Sequence, residues 1–147
     1  MKLLALLLAL SLFIAGCSNS VNDSENPGLE WTWVSFDSDA LQVSGRASYE
    51  KSDCLILSWS ASSITIAFVG TALELKSWTN NAVYLDVFVD GEETPSSSVK
   101  VPDYADGPAT LPVVSGLRYG SHFVTLYKRS ESLWETGMYM ECVSWGR

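Results

Sequence analysis

The sequence predicts an all-β protein, a single domain folded as an antiparallel β-sandwich of the jelly-roll type. Apolar and polar residues alternate with a period of two over much of the chain after residue 30, which is typical of half-buried strands. Gly, Asn, Asp, Pro and Ser separate these runs, and no persuasive helical stripe is present after residue 30. Nine or ten short strands in about 115 residues favour a sandwich or jelly roll.

The strands follow from the alternation. It is clearest in residues 64–68, 83–89 and 122–128. In 83–89 the intervening residues are also largely apolar, which indicates a strand covered on both faces. Asp90 and Gly91 then predict a tight turn, because both tolerate positive φ. The other predicted strands are 31–36, 41–48, 54–60, 72–78, 97–101, 109–114 and 138–145.

The first sixteen residues have the pattern of an export signal, with Lys2 ahead of an apolar run and small residues before Cys17. The run is too short to span a bilayer comfortably as a helix. The segment Ile14–Cys17 resembles the lipobox of bacterial lipoproteins, which implies cleavage before Cys17 and lipid on its thiol. An ordinary signal peptide with an incidental cysteine is the alternative.

Three segments are therefore expected: a lipoprotein signal peptide at 1–16, a flexible polar tether with lipidated Cys17 at 17–29, and the sandwich domain at 30–147. The expected location is the bacterial cell envelope, outside the cytoplasm. Ser18 follows the lipidated residue, and in a host with two membranes this favours the outer membrane.

Charge and composition exclude several functions. Nine Lys and Arg stand against 17 Asp and Glu, for a net charge of −8, which argues against nucleic-acid binding. One histidine and three cysteines exclude a His-rich metal site and a four-Cys zinc site. The acid pairs Asp37/Asp39 and Asp103/Asp106 have the oxygen ligands that calcium needs, but solvated loop acids are the commoner case. We expect no metal and no cofactor.

Cys54 and Cys142 are the two cysteines outside the predicted lipid site. Cys54 begins one predicted strand, Cys142 lies in the last, and the exported location permits oxidation. The sequence leaves a disulfide and two buried thiols open.

Five segments occur in an order that resembles a known module: Val43–Arg46, Leu57–Ile64, Phe68–Leu73, Val87–Gly91 and Gly116–Glu131. The resemblance, over residues 40–145, is to the N-terminal jelly-roll module of carbohydrate esterase family 2, the acetyl-xylan-esterase-like deacetylases. In that family a separate hydrolase domain of the SGNH type carries the nucleophilic serine and the histidine.

The chain lacks the hydrolase motifs of that family. It contains no Gly-Asp-Ser string, and Tyr119 stands where the family's Asp-x-x-His motif would place an acid before His122. No catalytic residue is therefore carried over, and the chain is expected not to be an enzyme. His122 is expected to open a strand and bond to backbone, and Arg46 and Arg129 to pair with acids such as Glu131 or Glu141.

Six Trp and six Tyr are many for this length, and such rings either fill a core or stack on sugars. Trp59 and Phe68 lie on strand-like patterns and are expected in the core. The candidate glycan contacts stand in loops or at a strand end: Trp78, Tyr104, Tyr119 and Trp134.

The sequence thus predicts a non-catalytic, lipid-anchored accessory module, either associated with polysaccharide or packed on an SGNH-type hydrolase domain absent from this chain. Two alternatives remain open: a structural or protein-interaction lipoprotein of the cell envelope, and a truncated fragment of a carbohydrate esterase.

Overall fold

The computed structural model describes residues 30–35, 38–50, 54–103, 108–130 and 138–146. These residues form eleven strands: β1 (Trp31–Ser35), β2 (Leu41–Ser44), β3 (Ala47–Glu50), β4 (Cys54–Leu57), β5 (Ser63–Gly70), β6 (Ala72–Thr79), β7 (Val83–Val89), β8 (Ser97–Val101), β9 (Ala109–Val114), β10 (Gly120–Lys128) and β11 (Met138–Gly146). In the described part of the chain, no helix is long and apolar enough to cross a membrane.

The strands form two sheets. Sheet A has the order β3-β4-β11-β6-β9, and β1 also pairs with β11. Sheet B has the order β2-β5-β10-β7-β8. All pairings between these strands are antiparallel. The predicted all-β sandwich is therefore confirmed.

Strand β11 organises sheet A, because it binds three other strands. β6 pairs along one edge from Met138 to Gly146. On the other edge, β4 pairs with residues 138–140 and β1 pairs with residues 142–146. The first and last of the described strands are thus neighbours.

One predicted strand, 41–48, is two strands in the structure, because the chain turns at Gly45 and passes from sheet B to sheet A. Gly45 has a φ of 89°, and a Cβ there would lie 2.9 Å from the Cα of Ser62. Glycine is the residue that tolerates both the conformation and the close approach. The hydroxyl of Ser62 donates to the carbonyl of Arg46 at 3.1 Å and holds the crossing in place.

The core lies between the sheets and takes every second residue of each strand. Each of its fully buried leucine side chains contributes roughly 2 kcal/mol by leaving water. Its buried members come from both sheets: Leu55, Leu57, Ile64, Ile66, Phe68, Leu73, Leu75, Val83, Leu85, Val87, Val89, Val101, Val113, Val124 and Leu126.

Two expectations about burial were wrong. Strand β7 was expected to be covered on both faces, but only its inward set is buried, and Tyr84 is 43% exposed on the other side. Trp59 was expected in the core, but it lies in the loop after β4 and is 57% exposed. The outward surface of sheet B is consequently open and rich in rings.

Candidate functional site

The outward surface of sheet B carries four aromatic side chains that we call the aromatic face: Tyr84, Phe88, Phe123 and Tyr127. Three of them, Tyr84, Phe123 and Tyr127, are 43%, 46% and 37% exposed, and Phe88 is partly buried. They occupy the outward positions of β7 and β10, while the residues between them fill the core. A cluster of exposed rings makes this surface the candidate interaction site of the described residues.

The pairing of β7 with β10 sets the spacing of these rings. Phe88 lies opposite Thr125, and Asp86 lies opposite Tyr127. The rings therefore alternate between two strands about 4.8 Å apart. Phe123 and Tyr127 are four residues apart on β10, which is about 13 Å along the strand. The hydroxyl of Thr125 lies between them and shares a 2.9 Å hydrogen bond with a threonine of β5.

A charged group borders the rings at one end. The Nε of Arg129 donates to both carboxylate oxygens of Asp86, at 3.0 and 3.1 Å. Its Nη2 donates to Asp86 Oδ1 and, at 3.1 Å, to the hydroxyl of Ser98. The guanidinium carbon also lies 6.0 Å from the ring centre of Tyr84. Asp86 is thus an acid partner of Arg129, as expected of this arginine, whereas the side chains of Glu131 and Glu141 lie outside the described residues.

The ion pair between Asp86 and Arg129 shifts the pKa of each group in the direction that favours its charged form. Hydrogen bonds from Arg129 are the main reason that the pKa of Asp86 lies below its usual value. The same bonds raise the pKa of Arg129. Both groups are therefore ionised at neutral pH, and together they fix a cation beside Tyr84.

His122 is held by two acceptors at the other end of β10. Its Nδ1 lies 2.8 Å from Asp90 Oδ2, and its Nε2 lies 2.7 Å from the carbonyl oxygen of Arg118. Asp90, which has a φ of 50° in the turn after β7, also accepts from the amide of Phe123 at 3.0 Å. A ring whose two nitrogens both face acceptors must donate from both, and this requires the imidazolium.

The electrostatics agree with that geometry. The Arg118 carbonyl, and after it the Asp90 carboxylate, raise the pKa of His122 above its ordinary value. The His122 ring, and after it the Phe123 amide, lower the pKa of Asp90. The expectation that His122 opens a strand and bonds to backbone is confirmed, and the structure adds Asp90. This arrangement clamps the two turns that flank the aromatic face.

Of the four aromatic residues predicted from sequence, the two that the structure describes lie in or next to strands of different sheets. Tyr119 is 62% exposed just before β10. Trp78 is partly buried at the end of β6, in the opposite sheet. Tyr104 and Trp134 lie outside the described residues, as does Cys17. Sequence reasoning missed the aromatic face, although the second apolar set of residues 83–89 was its signal.

The two cysteines of the predicted disulfide lie on neighbouring strands of sheet A. Cys54 starts β4, and Cys142 lies in β11. Of the residues paired between these two strands, Leu55 and Met140 are the pair closest in sequence to the cysteines. The cysteine side chains lie outside the described residues, so the disulfide stays a prediction.

Trp59, in the loop after β4, is a further exposed ring. Trp59 packs under the guanidinium of Arg46, whose carbon is 4.8 Å from the ring centre. This cation–π contact joins the loop after β4 to the crossing between β2 and β3. Among the described residues Arg46 therefore has an aromatic partner, where an acid was expected.

The described residues hold no group of three His, Cys, Asp or Glu side chains that could bind a metal ion. Asp39 and Asp103 are exposed, whereas Asp37 and Asp106, the other members of the two acid pairs, lie outside the described residues. The chemistry that the described surface offers is thus stacking on rings, hydrogen bonding to hydroxyls and ion pairing.

Comparison with family models matches residues 43–140 to the family described as carbohydrate esterase 2 N-terminal. A curated relative, the cellulase/esterase CelE of Acetivibrio thermocellus, is 27% identical over 96 residues, or 65% of this chain and 11% of the relative. The chain therefore spans about a tenth of that relative's length.

Two solved structures show the same fold. A family two carbohydrate esterase from Cellvibrio japonicus has a TM-score of 0.68 and 19% identity, over 80% of this chain and 34% of that one. The CBM36-1 domain of a multidomain xylanase, from the hindgut metagenome of Trinervitermes trinervoides, has a TM-score of 0.59 and 12% identity, over 78% of this chain and 95% of that one.

Proposed function

The chain belongs to the carbohydrate esterase 2 N-terminal family, and from that premise we propose that it is a non-catalytic accessory module that binds glycan through its aromatic face. The protein works at the bacterial cell envelope, held there by lipid on Cys17 and set off from the membrane by the tether 17–29. Its second role is to pack against a hydrolase domain of the SGNH type.

The single observation that carries glycan binding is the exposure of Tyr84, Phe123 and Tyr127 on one sheet surface. The C–H groups on the faces of a sugar ring are apolar, so they stack well on aromatic rings. Water-exposed hydroxyls such as that of Ser98, beside Arg129, then bind the sugar's own hydroxyls. Open rings on a sheet therefore suit an extended polysaccharide.

Three observations support a non-catalytic role. The family match concerns the N-terminal module of the esterases, and this chain has no Gly-Asp-Ser nucleophile motif. In addition, both ring nitrogens of His122 are engaged, one by Asp90 and one by the Arg118 carbonyl. A general base needs a nitrogen free to accept a proton.

The hydrolase domain is supplied either by another polypeptide or by a longer version of this chain. The DNA downstream of the codon for Arg147 distinguishes these cases. An in-frame hydrolase sequence there would make the chain part of a larger esterase.

Native affinity electrophoresis of the full chain in mild detergent tests the proposal. We expect soluble plant cell-wall polysaccharides in the gel to retard the wild-type protein. Phe123→Ala and Tyr127→Ala should each weaken retardation roughly threefold to tenfold, because each removes one stacking ring. Tyr119→Ala is the control, since it removes a ring that is even more exposed but lies outside the aromatic face.

Three results would contradict the proposal. Equal retardation of wild type and Tyr127→Ala would show that glycan does not use this face. Retention by protein partners alone would favour the interaction lipoprotein. Cleavage of acetyl esters by the purified chain at an enzyme-like rate would exclude the non-catalytic role.

A further inference from the structure

We propose that the aromatic face selects glycans that carry carboxylate groups, with Lys100 as the cation that receives them and Arg129 as a second positive charge beside it. This inference rests on the proposed function, since it names the class of glycan that the same face binds. Three observations support it: the charge of the face, the position of its two cations beside Tyr84, and the exposure of their side chains.

The charge of the face differs in sign from that of the protein. The charged residues at the outward positions of β7 and β8, and just after β10, are Asp86, Lys100 and Arg129. Two cations and one anion leave this surface with one positive charge, whereas the whole chain carries −8. A local positive surface on an acidic protein favours an anionic ligand at that position.

The cations are concentrated at one end of the aromatic face. Lys100 lies opposite Tyr84 in the ladder between β7 and β8. Arg129 reaches the same ring, and its amide donates to the Tyr84 carbonyl. The acids Glu92 and Glu93 lie in the turn after β7, at the opposite end of the strand. A bound carboxylate is therefore directed to the Tyr84 end.

Both cations can accept a ligand. The side chain of Lys100 is exposed, and within the described part of the chain its ammonium group forms no ion pair or hydrogen bond. Asp86 and Ser98 engage the Nε and Nη2 of Arg129, but its side chain is still 54% exposed. Arg129 is therefore a cation held in place, and Lys100 is an exposed cation on the neighbouring strand.

A uronic acid fits this arrangement. Its ring stacks as a neutral sugar does, and its carboxylate projects sideways from the ring edge. With the sugar on Tyr84 or Tyr127, the carboxylate meets Lys100 across the strand pair. The resulting bond is charge-assisted and adds to the stacking. A neutral sugar gains the stacking and leaves Lys100 unused.

The alternative role of Lys100 is protection of a sheet edge. β8 is an edge strand of sheet B, and lysines on edge strands discourage pairing with other chains. That role predicts no effect of Lys100 on glycan binding. The two roles therefore differ in a measurable quantity.

The test compares two forms of one polysaccharide, a soluble glucuronoxylan and the same material with its carboxyl groups reduced to alcohols. Retardation of the full chain in mild detergent is measured at 0.15 M salt, where repulsion from the distant acids is screened. We expect the acidic form to bind roughly twofold to fivefold more tightly, as an exposed ion pair allows.

Three variants locate this preference. Lys100→Gln should abolish it and leave binding of the reduced form unchanged, whereas Lys100→Arg should keep it. Lys76→Gln makes the same change of charge on the opposite sheet, and it should also keep the preference. An unchanged melting temperature of Lys100→Gln confirms that its fold is intact.

The outcomes separate this inference from the proposed function. Equal binding of both forms by wild type, or a preference that survives Lys100→Gln, overturns the selection of carboxylates while glycan binding stands. If wild type binds neither form and captures only proteins, both proposals are wrong.

Discussion

The clamp around His122 predicts that the stability of the protein depends on pH in a specific direction. The pKa of His122 is raised in the folded state. Its stabilising contribution is therefore complete below the ordinary value of about 6.5 and is lost as pH rises through the folded value. The pKa of Asp90 is lowered. The stability that its carboxylate contributes is therefore present above the ordinary pKa of an aspartate, and it is lost as pH falls through the lower pKa of the folded state.

The magnitude follows from the bonds that change. Loss of the proton leaves one ring nitrogen facing an acceptor, either Asp90 at 2.8 Å or the Arg118 carbonyl at 2.7 Å. A hydrogen bond to a charged group contributes about 1.5–3 kcal/mol. Because the Asp90 side chain is 43% exposed, solvent screens the pair, and we expect a net loss of about 1 kcal/mol.

Urea unfolding followed by tryptophan fluorescence measures this loss at pH 6 and pH 9. With a slope of about 2 kcal/mol per molar urea, the wild-type midpoint should be lower by about 0.5 M at pH 9. His122→Gln cannot titrate and should lose correspondingly less over the same interval. His122 is the only histidine of the chain, so its NMR signals also report the pKa directly.

Two results would refute this reasoning. If His122→Gln showed the same pH dependence as wild type, another group would be responsible. If the imidazole titrated below its ordinary pKa, the doubly donating ring would be an incorrect assignment. Asp90→Asn serves as a second check, because it removes the carboxylate charge and should bring the His122 pKa down.

Three further predictions concern the core, the cysteines and the anchor. Leu126→Ala should lower the free energy of unfolding by about 3 kcal/mol, because Leu126 is fully buried. Tyr119→Ala should change it by less than about 0.5 kcal/mol. Urea titration compares the two variants, and equal effects would contradict the core assignment. Thiol alkylation of the unreduced, denatured protein should leave Cys54 and Cys142 unlabelled. Reduction of the disulfide should lower the free energy of unfolding by roughly 4 kcal/mol. Labelling of both cysteines without reduction would exclude the disulfide. Cys17→Ala should abolish incorporation of labelled palmitate and release the protein from membranes, and membrane retention without label would instead indicate an uncleaved signal.

Much of the strand layout was predictable, because the signal is local. Alternation and turn residues located β7, β8 and β9 at their observed bounds. Most other predicted strands agree within two residues at each end, but the strand predicted at 54–60 ends at Leu57. A further exception is the division at Gly45, which depends on the approach of Ser62 from another strand. No property of residues 41–48 by themselves reveals that contact.

The candidate site was harder to predict, because apolar character does not tell core from surface. In β10, Phe123 and Tyr127 count as hydrophobic residues just as Val124 and Leu126 do, yet only the latter two are buried. The double apolar pattern of β7 was interpreted as burial on both faces for the same reason. Tyr119 was chosen because it lies in a loop, but a loop position predicts a binding ring less well than a position on the outward side of a sheet.

By itself, the sequence determined that this chain forms strands and where most of them lie. It also determined the family, that of the carbohydrate esterase 2 N-terminal modules. Each of these conclusions rests on the alternation of apolar residues, on turn residues or on the order of motifs, all of which can be observed along the chain. Only the tertiary structure decided which side of each strand faces solvent and which distant groups meet. Asp86 and Arg129 are 43 positions apart, and His122 and Asp90 are 32 apart. Such pairs form through the register of strands across a sheet, which many distant contacts set together.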